Sequence, residues 1–533
     1  MIGYALGANS RPLGLGLADF NGDGRLDVFT ANDPSHTLSL LYGQPTGSLG
    51  SSVVVPTGGA GAEAMQVGDL NRDGLPDVVV AGGSWGGVLL GTAAGVPFPL
   101  AFPFSLRMTG NPGALALGDV NGDGQPDAVA VAGPAPTGGA QAAVLLGRAD
   151  GSFAPAIVYP LGTGSQPEAV ALGDVNGDGR ADIAVAVNDA VYVLLNLGNG
   201  TFGAATSQAM GVGTGPLGLA VADVNGDGRP DLLTANHAGS VGVRLNSGSG
   251  QFGLVATYPV GAFPVGIVVG DVNNDGFPDV VTAGFGSDQL SVLLGAGTGL
   301  FGPVSNYTTG PGSGPISVAI GDVDGDGAPD LVSANFNAGT AGVFLSQAPV
   351  LNLTGPTSAG AGAPITLIGA RLSGATAVTF SSSTRVEATV PAARFTSTVY
   401  TSTPNTIGFV VPTSLAVGTY VVAVVTSHGT SPARSFSVTT PLAAMPSMLG
   451  EQVAVFPTPT HASATVQVPP MVGVGTIRLR LCDALGHPVR TVEAALPAVG
   501  LRQELDLRGL ASGLYLVQLQ AGTTVVTRRL LVD

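Results

Sequence analysis

Lysine is absent from this chain, and every one of its 19 basic residues is an arginine. The arginines are scattered without forming a basic patch, which argues against a nucleic-acid partner. Cysteine occurs once, at Cys482, so an internal disulfide framework is excluded and rigidity must come from packing or from metal ions. No apolar run reaches the length of about 18 residues that a membrane-spanning helix needs.

Charged residues make up only 10% of the chain, yet acidic residues outnumber basic ones by 35 to 19, which gives a formal net charge of −16. Of the 35 acidic residues, 28 lie before residue 348, and 22 of those belong to one recurring phrase. The excess of negative charge is therefore local. It is not typical of a solvating acidic tail.

The recurring phrase is Asp-x-Asn/Asp-x-Asp-Gly-x-x-Asp, and it occurs seven times in the first 330 residues. Its copies begin at Asp19, Asp69, Asp119, Asp174, Asp223, Asp271 and Asp322, at intervals of 50, 50, 55, 49, 48 and 51 residues. A period near fifty residues is typical of a repeat architecture. A single copy would predict only a tight turn, because Asp-Gly and Asn-Gly are common turn formers, but seven copies in register indicate a shared chemical role.

Each copy has the spacing of a calcium-binding loop. In the fourth copy, positions 1, 3, 5, 7 and 9 are Asp174, Asn176, Asp178, Arg180 and Asp182. The side chains at positions 1, 3, 5 and 9 and the main-chain carbonyl at position 7 supply oxygen atoms that can converge on one hard cation, and Gly at position 6 permits the sharp turn. Because no sulfur or imidazole ligand occurs, zinc, copper and iron are poor candidates, and calcium suits the irregular oxygen shell better than magnesium.

The predicted metal ligands are positions 1, 3, 5, 7 and 9 of all seven copies. They are Asp19, Asn21, Asp23, Arg25, Asp27; Asp69, Asn71, Asp73, Leu75, Asp77; Asp119, Asn121, Asp123, Gln125, Asp127; Asp174, Asn176, Asp178, Arg180, Asp182; Asp223, Asn225, Asp227, Arg229, Asp231; Asp271, Asn273, Asp275, Phe277, Asp279; and Asp322, Asp324, Asp326, Ala328, Asp330. The seventh copy carries Asp324 where the others carry Asn, which adds a fourth carboxylate. About seven Ca²⁺ ions are expected, and they would bring the net charge to about −2.

Short apolar runs surround every acidic phrase. Around the fourth copy they cover residues 169–172, 183–187 and 191–195, and in later copies a Gly-x-Phe-Gly segment introduces a fourth run. Four short strands per repeat, without helical periodicity, predict one blade of a β-propeller, so seven repeats predict seven blades. The last repeat stops after its third strand near Leu345, and we expect residues 4–6 to supply the missing outer strand.

Residues 1–347 resemble the FG-GAP or VCBS repeat family, the calcium-loop propellers typified by integrin α-subunit heads. The resemblance rests on segments such as Gly-Asp-Val-Asn-Gly-Asp-Gly-Arg-Ala-Asp at residues 173–182. It implies that the calcium loops lie on one face of the ring and that partners meet other loops, often on the opposite face. The partner itself is not identified, because propellers serve many functions.

The composition changes after Gln347. From residue 348 to about Pro446 aspartate is absent, and Ser, Thr and Val dominate in short alternating runs that predict a β-sandwich. The segments at residues 353–357, 364–369, 410–412 and 417–420 resemble an IPT/TIG immunoglobulin-like domain. The resemblance implies a spacer role.

Residues 447–533 form a third predicted unit. Its segments 453–459, 481–489 and 510–517 and its basic-then-apolar end at 528–532 resemble the carboxy-terminal sorting domain of type IX secretion cargo, although Thr458 stands where that family usually has Asn. The resemblance implies passage through the type IX secretion machinery of a Bacteroidetes-type bacterium, followed by release or surface anchoring. A plain terminal β-sandwich is the alternative. No signal peptide is visible after Met1, and we expect the true start to lie upstream or to have been trimmed.

Two enzyme-like motifs are interpreted as turns. The segment Gly-Gly-Ser-Trp-Gly at residues 82–86 matches G-x-S-x-G, but a nucleophile elbow needs a following helix and none is predicted. Residues 198–203 and 248–253 spell G-x-G-x-x-G without a βαβ setting. The single tryptophan, Trp85, is expected to pack against a blade rather than to stack on a sugar. The five histidines (His36, His237, His428, His461 and His487) are dispersed and predict no shared site, so no catalytic or cofactor-binding residues are proposed.

The sequence thus predicts an all-β protein: a seven-bladed β-propeller at residues 1–347 and two immunoglobulin-like β-sandwich domains at 348–446 and 447–533. The favoured function is non-catalytic recognition of an extracellular glycan or protein by a secreted or surface-displayed, calcium-stabilised monomer. The alternative is a secreted polysaccharide-degrading enzyme of the lyase type. Such an enzyme would need a base and a charge-neutralising cation near its substrate, and no such set occurs outside the seven loops.

Overall fold

The computed structural model describes the chain except for a set of short segments. These are residues 34, 46, 58–61, 84, 93–94, 96–99, 109–111, 134–138, 163–164, 347–349, 352–356, 373–374, 383–385, 392–396, 400–404, 427–428, 432–433, 440–452, 457–462, 469–475, 484–486, 498–499, 522–523 and 533. All the regular secondary structure of the described residues is β-strand. By proximity the chain divides into two compact units, Met1–Pro356 with Thr366–Phe409 and Tyr420–Phe436, and Thr357–Ile365 with Val410–Thr419 and Ser437–Asp533.

The described residues of the repeat region form seven four-stranded antiparallel sheets, numbered here in the order of their acidic loops. Sheets 1 and 2 consist of Arg11–Ala18, Asp27–Asp33, Thr37–Leu41, Val53–Pro56 and of Ala64–Gly68, Asp77–Gly82, Trp85–Leu89, Leu100–Ser105. Sheets 3 and 4 consist of Pro112–Gly118, Asp127–Ala132, Ala140–Leu145, Ile157–Gly162 and of Pro167–Gly173, Asp182–Val187, Ala190–Leu194, Thr206–Ala209. Sheets 5 and 6 consist of Pro216–Ala222, Asp231–Asn236, Ser240–Arg244, Ala256–Pro259 and of Pro264–Gly270, Asp279–Gly284, Gln289–Leu293, Ser305–Thr308. Sheet 7 consists of Pro315–Gly321, Asp330–Asn335, Thr340–Phe344 and Ile2–Ala5.

The second strand of each sheet is apolar almost throughout because neighbouring sheets cover both of its faces. In sheet 4, Asp182–Val187 is buried along its whole length. Its side chains Ile183, Val185 and Val187 share a core with Val129 and Val144 of sheet 3. A continuous apolar run, rather than an alternating one, is what a strand buried on both faces requires. The hydrophobic cores of this region therefore lie between adjacent sheets.

The sheets follow one another back to their starting point. The first strands of successive sheets lie side by side, and the first strand of sheet 7 lies beside that of sheet 1. One core contains Val28 of sheet 1 together with Val332 and Val343 of sheet 7. Repeat-based four-stranded sheets packed in this way have the architecture of a β-propeller.

The outer strand of sheet 7 comes from the amino-terminal end of the chain. Ile2 pairs with Val343 and Ala5 pairs with Thr340 in an antiparallel register. The prediction that the start of the chain completes the last repeat is therefore confirmed, with the strand beginning at Ile2 rather than at residue 4.

Each antiparallel sheet has two distinct ends. The acidic loop and the hairpin between the third and outer strands lie at one end, which we call the loop end. The turn between the second and third strands and the connection to the next sheet lie at the other, the turn end. Hydrogen bonds support both groupings, since Gly250 N in a hairpin donates to Val175 O of an acidic loop at 3.1 Å, and Phe285 N in a turn donates to Phe263 O of a connection at 3.0 Å.

The middle region contains two further sheets. One has the strand order Val350–Leu351, Pro364–Ala370, Asn405–Val410, Ser397–Val399. The other has the order Ser358–Gly360, Arg434–Thr439, Gly418–Thr426, Ala377–Ser381, Val386–Pro391, with Gly429–Thr430 pairing Gly418–Thr426. Phe380 packs edge-on against Phe409 and Phe436, with ring centroids 6.0 and 5.7 Å apart. Most of the predicted segment at 353–357 and the predicted boundary at Pro446 lie outside the described residues.

The carboxy-terminal region also contains two sheets around one core. Their orders are Ala454–Phe456, Ser463–Val468, Leu501–Asp506 and Pro488–Ala495, Thr476–Cys482, Gly513–Ala521, Thr524–Val532. Strand Thr476–Cys482 alternates exposed and buried residues, as expected when one sheet face covers a core. Cys482 is a buried free thiol. Thr458 lies outside the described residues.

Candidate metal centre

All seven acidic loops join the first strand of a sheet to its second strand, and position 9 is the first residue of that second strand. The 35 predicted ligands therefore all lie at the loop end. Gly at position 6 has φ between 82° and 89° in every loop, which confirms the predicted left-handed turn.

Position 1 of each loop accepts hydrogen bonds from the main chain of its own loop. In the fourth loop, Asp174 Oδ2 accepts from Gly179 N at 2.7 Å and Asp174 Oδ1 accepts from Asp178 N at 3.1 Å. Asn176 Oδ1 also accepts from Asp178 N, at 2.9 Å. The bond from position 6 to position 1 recurs in all seven loops at 2.7–2.9 Å. These bonds wrap the backbone around the carboxylate at position 1.

Position 9 has a second role that the sequence did not indicate. Asp182 Oδ2 accepts from Val175 N at 3.0 Å, and Asp182 Oδ1 accepts from Asn196 N, just beyond the third strand, at 2.7 Å. Equivalent pairs occur in all seven sheets, at 2.8–3.0 Å and 2.7–2.8 Å. This buried carboxylate therefore ties the loop, the second strand and the end of the third strand together.

The environment of position 9 disfavours its negative charge. The pKa values of Asp27, Asp231, Asp279 and Asp330 are raised to about 6, mainly by burial and also by nearby loop carboxylates, while two main-chain hydrogen bonds partly oppose the shift. The pKa values of the other three position-9 carboxyls are raised for the same reasons. A cation bound among these groups would offset the repulsion.

The seventh loop brings three carboxylates close together. One oxygen each of Asp322, Asp324 and Asp330 lies within 4.8 Å of the other two. Burial, with the neighbouring charge of Asp324, raises the pKa of Asp322, and burial raises that of Asp324. These residues occupy positions 1, 3 and 9, so the grouping joins three of the five predicted ligand positions. In the other six loops the same positions offer two carboxylates and one amide oxygen.

Position 5 is engaged by arginine in four loops. Asp23 pairs with Arg25, Asp178 with Arg180 at 2.5 Å and Asp227 with Arg229 at 3.6 Å, so the partner is the side chain at position 7. In the seventh loop, where position 7 is alanine, Arg371 pairs with Asp326. These arginines partly neutralise the loops, while position 7 keeps its main-chain carbonyl as a possible ligand. The donors are all oxygen atoms, which fits a hard divalent cation such as calcium.

Asparagine side chains link sheets 4 and 5 to the acidic loop of the preceding sheet. Asn196 Nδ2 donates to Val120 O at 2.7 Å and to Ala181 O at 2.9 Å. Asn246 Nδ2 donates in the same way to Val175 O at 2.8 Å. Each asparagine lies two residues before a G-x-G-x-x-G segment and begins the small hairpin that contains it (Asn196–Gly198 with Thr201–Phe202, and Asn246–Gly248 with Gln251–Phe252). The interpretation of these segments as turns is confirmed.

Aromatic pairs also connect neighbouring sheets. Tyr159 in the outer strand of sheet 3 packs edge-on against Phe202 in the hairpin of sheet 4, with centroids 5.6 Å apart. Tyr258 and Phe301 repeat the contact between sheets 5 and 6 at 5.3 Å. The phenylalanine belongs to the Gly-x-Phe-Gly segment noted in the sequence, so that segment contributes to packing between sheets.

The G-x-S-x-G segment lies in a tight turn, as expected. Gly82 ends the second strand of sheet 2 and pairs with Trp85, which begins the third. Ser84 lies outside the described residues. Trp85 is 57% exposed, so the expectation that it packs against a blade was wrong.

Of the five histidines, His428 and His461 lie outside the described residues. His36 and His237 lie in turns of sheets 1 and 5, and His487 lies in the carboxy-terminal region beside Asp483, with Nδ1 3.3 Å from Oδ2.

Two family models match the chain. The FG-GAP-like repeat model matches residues 19–80, 119–185, 174–234, 223–282 and 271–333, which together make up more than half of the sequence. The model described as the secretion system C-terminal sorting domain matches residues 454–533. No curated protein sequence matches significantly. In the part of the chain that the structure describes, no helix has the length and hydrophobicity to cross a membrane.

Similar solved structures have low sequence identity to the chain. A lectin from Agrocybe aegerita, described as recognising non-reducing terminal N-acetylglucosamine, is 19% identical with a TM-score of 0.44, and the match covers 62% of this chain and 90% of the lectin. A Tc holotoxin pore from Photorhabdus luminescens is 18% identical with a TM-score of 0.28, and the match covers 58% of this chain and 17% of that one.

Proposed function

This chain belongs to the FG-GAP-like repeat family and carries a type IX sorting domain, and from that premise we propose that it is a calcium-stabilised propeller that binds an extracellular glycan or protein. The sorting domain directs the protein to the secretion machinery and then to the outside or the outer surface of a Bacteroidetes-type bacterium. Recognition, rather than catalysis, is the proposed activity.

Calcium binding is supported by the donor set of the loops. Every loop presents oxygen donors alone, and the seventh groups the carboxylates of Asp322, Asp324 and Asp330 within 4.8 Å of one another. The residues proposed as ligands are positions 1, 3, 5, 7 and 9 of all seven loops. Bound calcium would supply positive charge where carboxylates with raised pKa values repel one another. Because each loop joins the first strand of a sheet to the second, the ion would also fix the end of one strand relative to the start of the next.

The energetic effect of such ions is large when summed. For a site with a dissociation constant of about 0.1 mM in millimolar calcium, binding adds roughly 1.4 kcal/mol of stability. Several such sites together approach the net stability of a typical domain, about 5–15 kcal/mol. We therefore expect calcium to be needed for the folded state under extracellular conditions.

Ligand recognition is supported by a contrast between the two ends of the sheets. At the loop end the same hydrogen bonds recur in all seven repeats. At the turn end, the residue six positions after each position-9 aspartate varies widely: Asp33, Gly83, Gly133, Asn188, His237, Phe285 and Phe336. A rigid scaffold that presents variable turns is the usual arrangement of a binding surface. This contrast is the observation on which the proposal rests.

The domain order also belongs to the proposal. Residues 1–347 form the seven-bladed binding propeller, residues 348–446 a spacer, and residues 447–533 the sorting domain. Mass spectrometry of the protein recovered from culture medium and from cell surfaces would test the last assignment. The sorting domain of such secretion cargo is commonly removed after export, so recovery at both places of protein that still contains residues 447–533 would argue against this assignment.

A binding screen tests the function directly. The purified full chain would be applied to glycan and extracellular-protein arrays in calcium and again in EDTA. Calcium-dependent binding to at least one class is expected. The same polysaccharides would be incubated with the protein and followed for unsaturated products, and any turnover would favour the lyase alternative over the proposal.

A further inference from the structure

A row of aromatic side chains lies at the turn end of sheets 5, 6 and 7. Ring centroids are 4.3 Å apart for His237 and Phe263, 5.7 Å for Phe263 and Phe285, and 6.3 Å for Phe285 and Phe336. The Arg11 guanidinium lies over the Phe336 ring, 5.5 Å from its centroid. His237 and Arg11 are exposed and the three phenylalanines are half-buried. We call these five side chains the aromatic row; it presents ring surface to solvent between two polar groups.

The backbone holds the row in position. Phe263 has φ of +53°, an unusual conformation for a bulky residue and one that often marks a functional site. The backbones of Phe263 and Phe285 are joined by a hydrogen bond, since Phe285 N donates to Phe263 O at 3.0 Å. The backbone of Phe336 is held in the same way, because Phe336 N donates to Gly314 O at 2.9 Å. Rings anchored in this way lose little conformational freedom when a ligand binds.

Glycines make room for the rings. A Cβ atom on Gly314 would lie 2.9 Å from Cε2 of Phe285, and one on Gly286 would lie 3.1 Å from Cβ of Phe263. Gly314 also has φ of +57°, which a side chain would strain. The phenylalanine side chains of the row therefore pack directly against the backbone at these glycines, where a larger residue would displace them.

The repeat itself does not require these rings. The residues of sheets 1 to 4 that correspond to His237, Phe285 and Phe336 are Asp33, Gly83, Gly133 and Asn188. Four sheets therefore form without an aromatic side chain at this position. The concentration of rings on one side of the turn end needs an explanation other than packing of the fold.

Charges at the same end restrict the ligand. Glu63 and Glu168 lie at corresponding places, five residues before the end of the first strands of sheets 2 and 4. Among the described residues neither forms an ion pair with arginine. Burial by the surrounding protein raises the pKa of Glu63, together with the neighbouring charge of Asp33, and burial also raises the pKa of Glu168. Together with Asp33 they disfavour an anionic ligand, while Arg11 already covers the Phe336 ring and disfavours a cationic one.

We propose that the aromatic row binds a neutral glycan. The C–H faces of sugar rings pack against aromatic rings, and the exposed Arg11 and His237 at the two ends of the row can hydrogen-bond sugar hydroxyl groups. A polyuronate would face the carboxylates, and a lysine- or arginine-rich peptide would face Arg11. The proposal rests on the binding function proposed above and adds the location and the ligand class.

The test uses the full chain in calcium on a printed panel of neutral oligosaccharides built from glucose, mannose, xylose, galactose and N-acetylglucosamine. Uronic-acid oligosaccharides, an arginine-rich peptide and extracellular-matrix proteins form the comparison arms. The variants are Phe285→Ala, Phe336→Ala and Phe285→Leu, and the last keeps apolar volume but removes the ring. Trp85→Ala is the matched control, because Trp85 is an exposed aromatic residue at the turn end of sheet 2.

Binding to neutral oligosaccharides is expected, with affinity reduced about tenfold or more in the row variants and unchanged in Trp85→Ala. Thermal unfolding in calcium shows whether each variant is folded, and Phe285→Leu should unfold close to the parent temperature. Glycan binding that survives in all row variants, or is lost only in Trp85→Ala, would overturn the location and leave the proposed function standing. Binding confined to the acidic glycans, the basic peptide or the matrix proteins would overturn the ligand class and leave the proposed binding function standing. Failure to bind in every arm would count against the proposed function as well.

Discussion

The side-chain Nδ2 of Asn196 donates a hydrogen bond of 2.7 Å to the main-chain oxygen of Val120, in the acidic loop of the preceding sheet. The amide nitrogen of Val120 donates in turn to Asp127 Oδ2 at 2.8 Å. Val120 in the third loop is therefore held on its amide side by the position-9 carboxylate of its own loop and on its carbonyl side by the next sheet. Order in a loop is coupled to contact between sheets, so metal binding should stabilise more than the loop itself.

Replacing Asn196 should test this link. The Asn196→Ala variant leaves the oxygens of Val120 and Ala181 and the amide of Gly198 without their side-chain partner. Because these groups are buried or half-buried, we expect the free energy of unfolding to fall by about 2–4 kcal/mol, measured by urea denaturation. Asn246→Ala should behave alike, whereas Asn337→Ala, at an exposed residue, should cost less than about 0.5 kcal/mol. Equal effects of Asn196→Ala and Asn337→Ala would contradict the link.

Removal of calcium should lower the thermal stability of the repeat region. With roughly 1.4 kcal/mol per site, several vacated sites should lower the unfolding temperature by more than about 5 °C, measured by calorimetry in millimolar calcium and in EDTA. Magnesium at the same concentration should restore less stability, because its smaller octahedral shell fits the loops less well. Identical scans with and without EDTA would count against calcium at these loops.

Stability should depend on pH in opposite ways with and without calcium. The carboxyls of Asp27, Asp231, Asp279 and Asp330 have pKa values of about 6 in the folded protein, above the ordinary 3.8. A raised pKa favours the folded state below about pH 4, and that contribution is lost as the pH rises through about 6. The calcium-free protein should therefore be more stable at pH 5 than at pH 7.

Calcium requires ionised carboxylates, so the increase in unfolding temperature that it causes should shrink as the pH falls through about 6. Differential scanning fluorimetry at pH 5, 6, 7 and 8, in calcium and in EDTA, measures both trends. A calcium effect of the same size at pH 5 and pH 8 would exclude these four groups as ligands or near neighbours of the ion.

The extra carboxylate of the seventh loop should strengthen its metal site. Asp324→Asn restores the residue that the other loops carry, so the seventh loop should bind calcium more weakly by calorimetric titration, and the calcium-free protein should gain less than about 1 kcal/mol. Asn273→Asp in the sixth loop is the reciprocal variant and should strengthen binding there. Unchanged titrations for both variants would show that position 3 does not contact the ion.

Much of the fold follows from the repeat in the sequence. The spacing of the acidic phrase places a loop between two strands, and the apolar runs on either side correspond to observed strands such as Pro167–Gly173 and Asp182–Val187. The outer strand supplied by Ile2–Ala5 was also predictable, because the last repeat lacked one. In each case the signal is local or periodic.

The features that could not be predicted depend on residues far apart in the sequence. The sequence predicted only a metal-ligand role for Asp182. The hydrogen bond that it accepts from Asn196 N depends on the end of the third strand lying beside the loop, which the sequence spacing does not indicate. Asn after the third strand occurs in two copies only, so it carried little periodic signal. The ring contact of Phe285 and Phe336 joins two repeats, and neither residue recurs in the others. Such contacts are set by the three-dimensional approach of sheets rather than by sequence spacing.

The pairing of Ile2–Ala5 with Thr340–Phe344 has a consequence for biogenesis. The last sheet cannot be completed until the final repeat has emerged from the ribosome, since its fourth strand, Ile2–Ala5, is made long before the other three, which begin at Pro315. Pairing of such distant segments is slow, because a long stretch of chain must be ordered before the contact forms. A cell that exports this protein therefore has a period during synthesis in which the ring stays open and the chain can still be threaded.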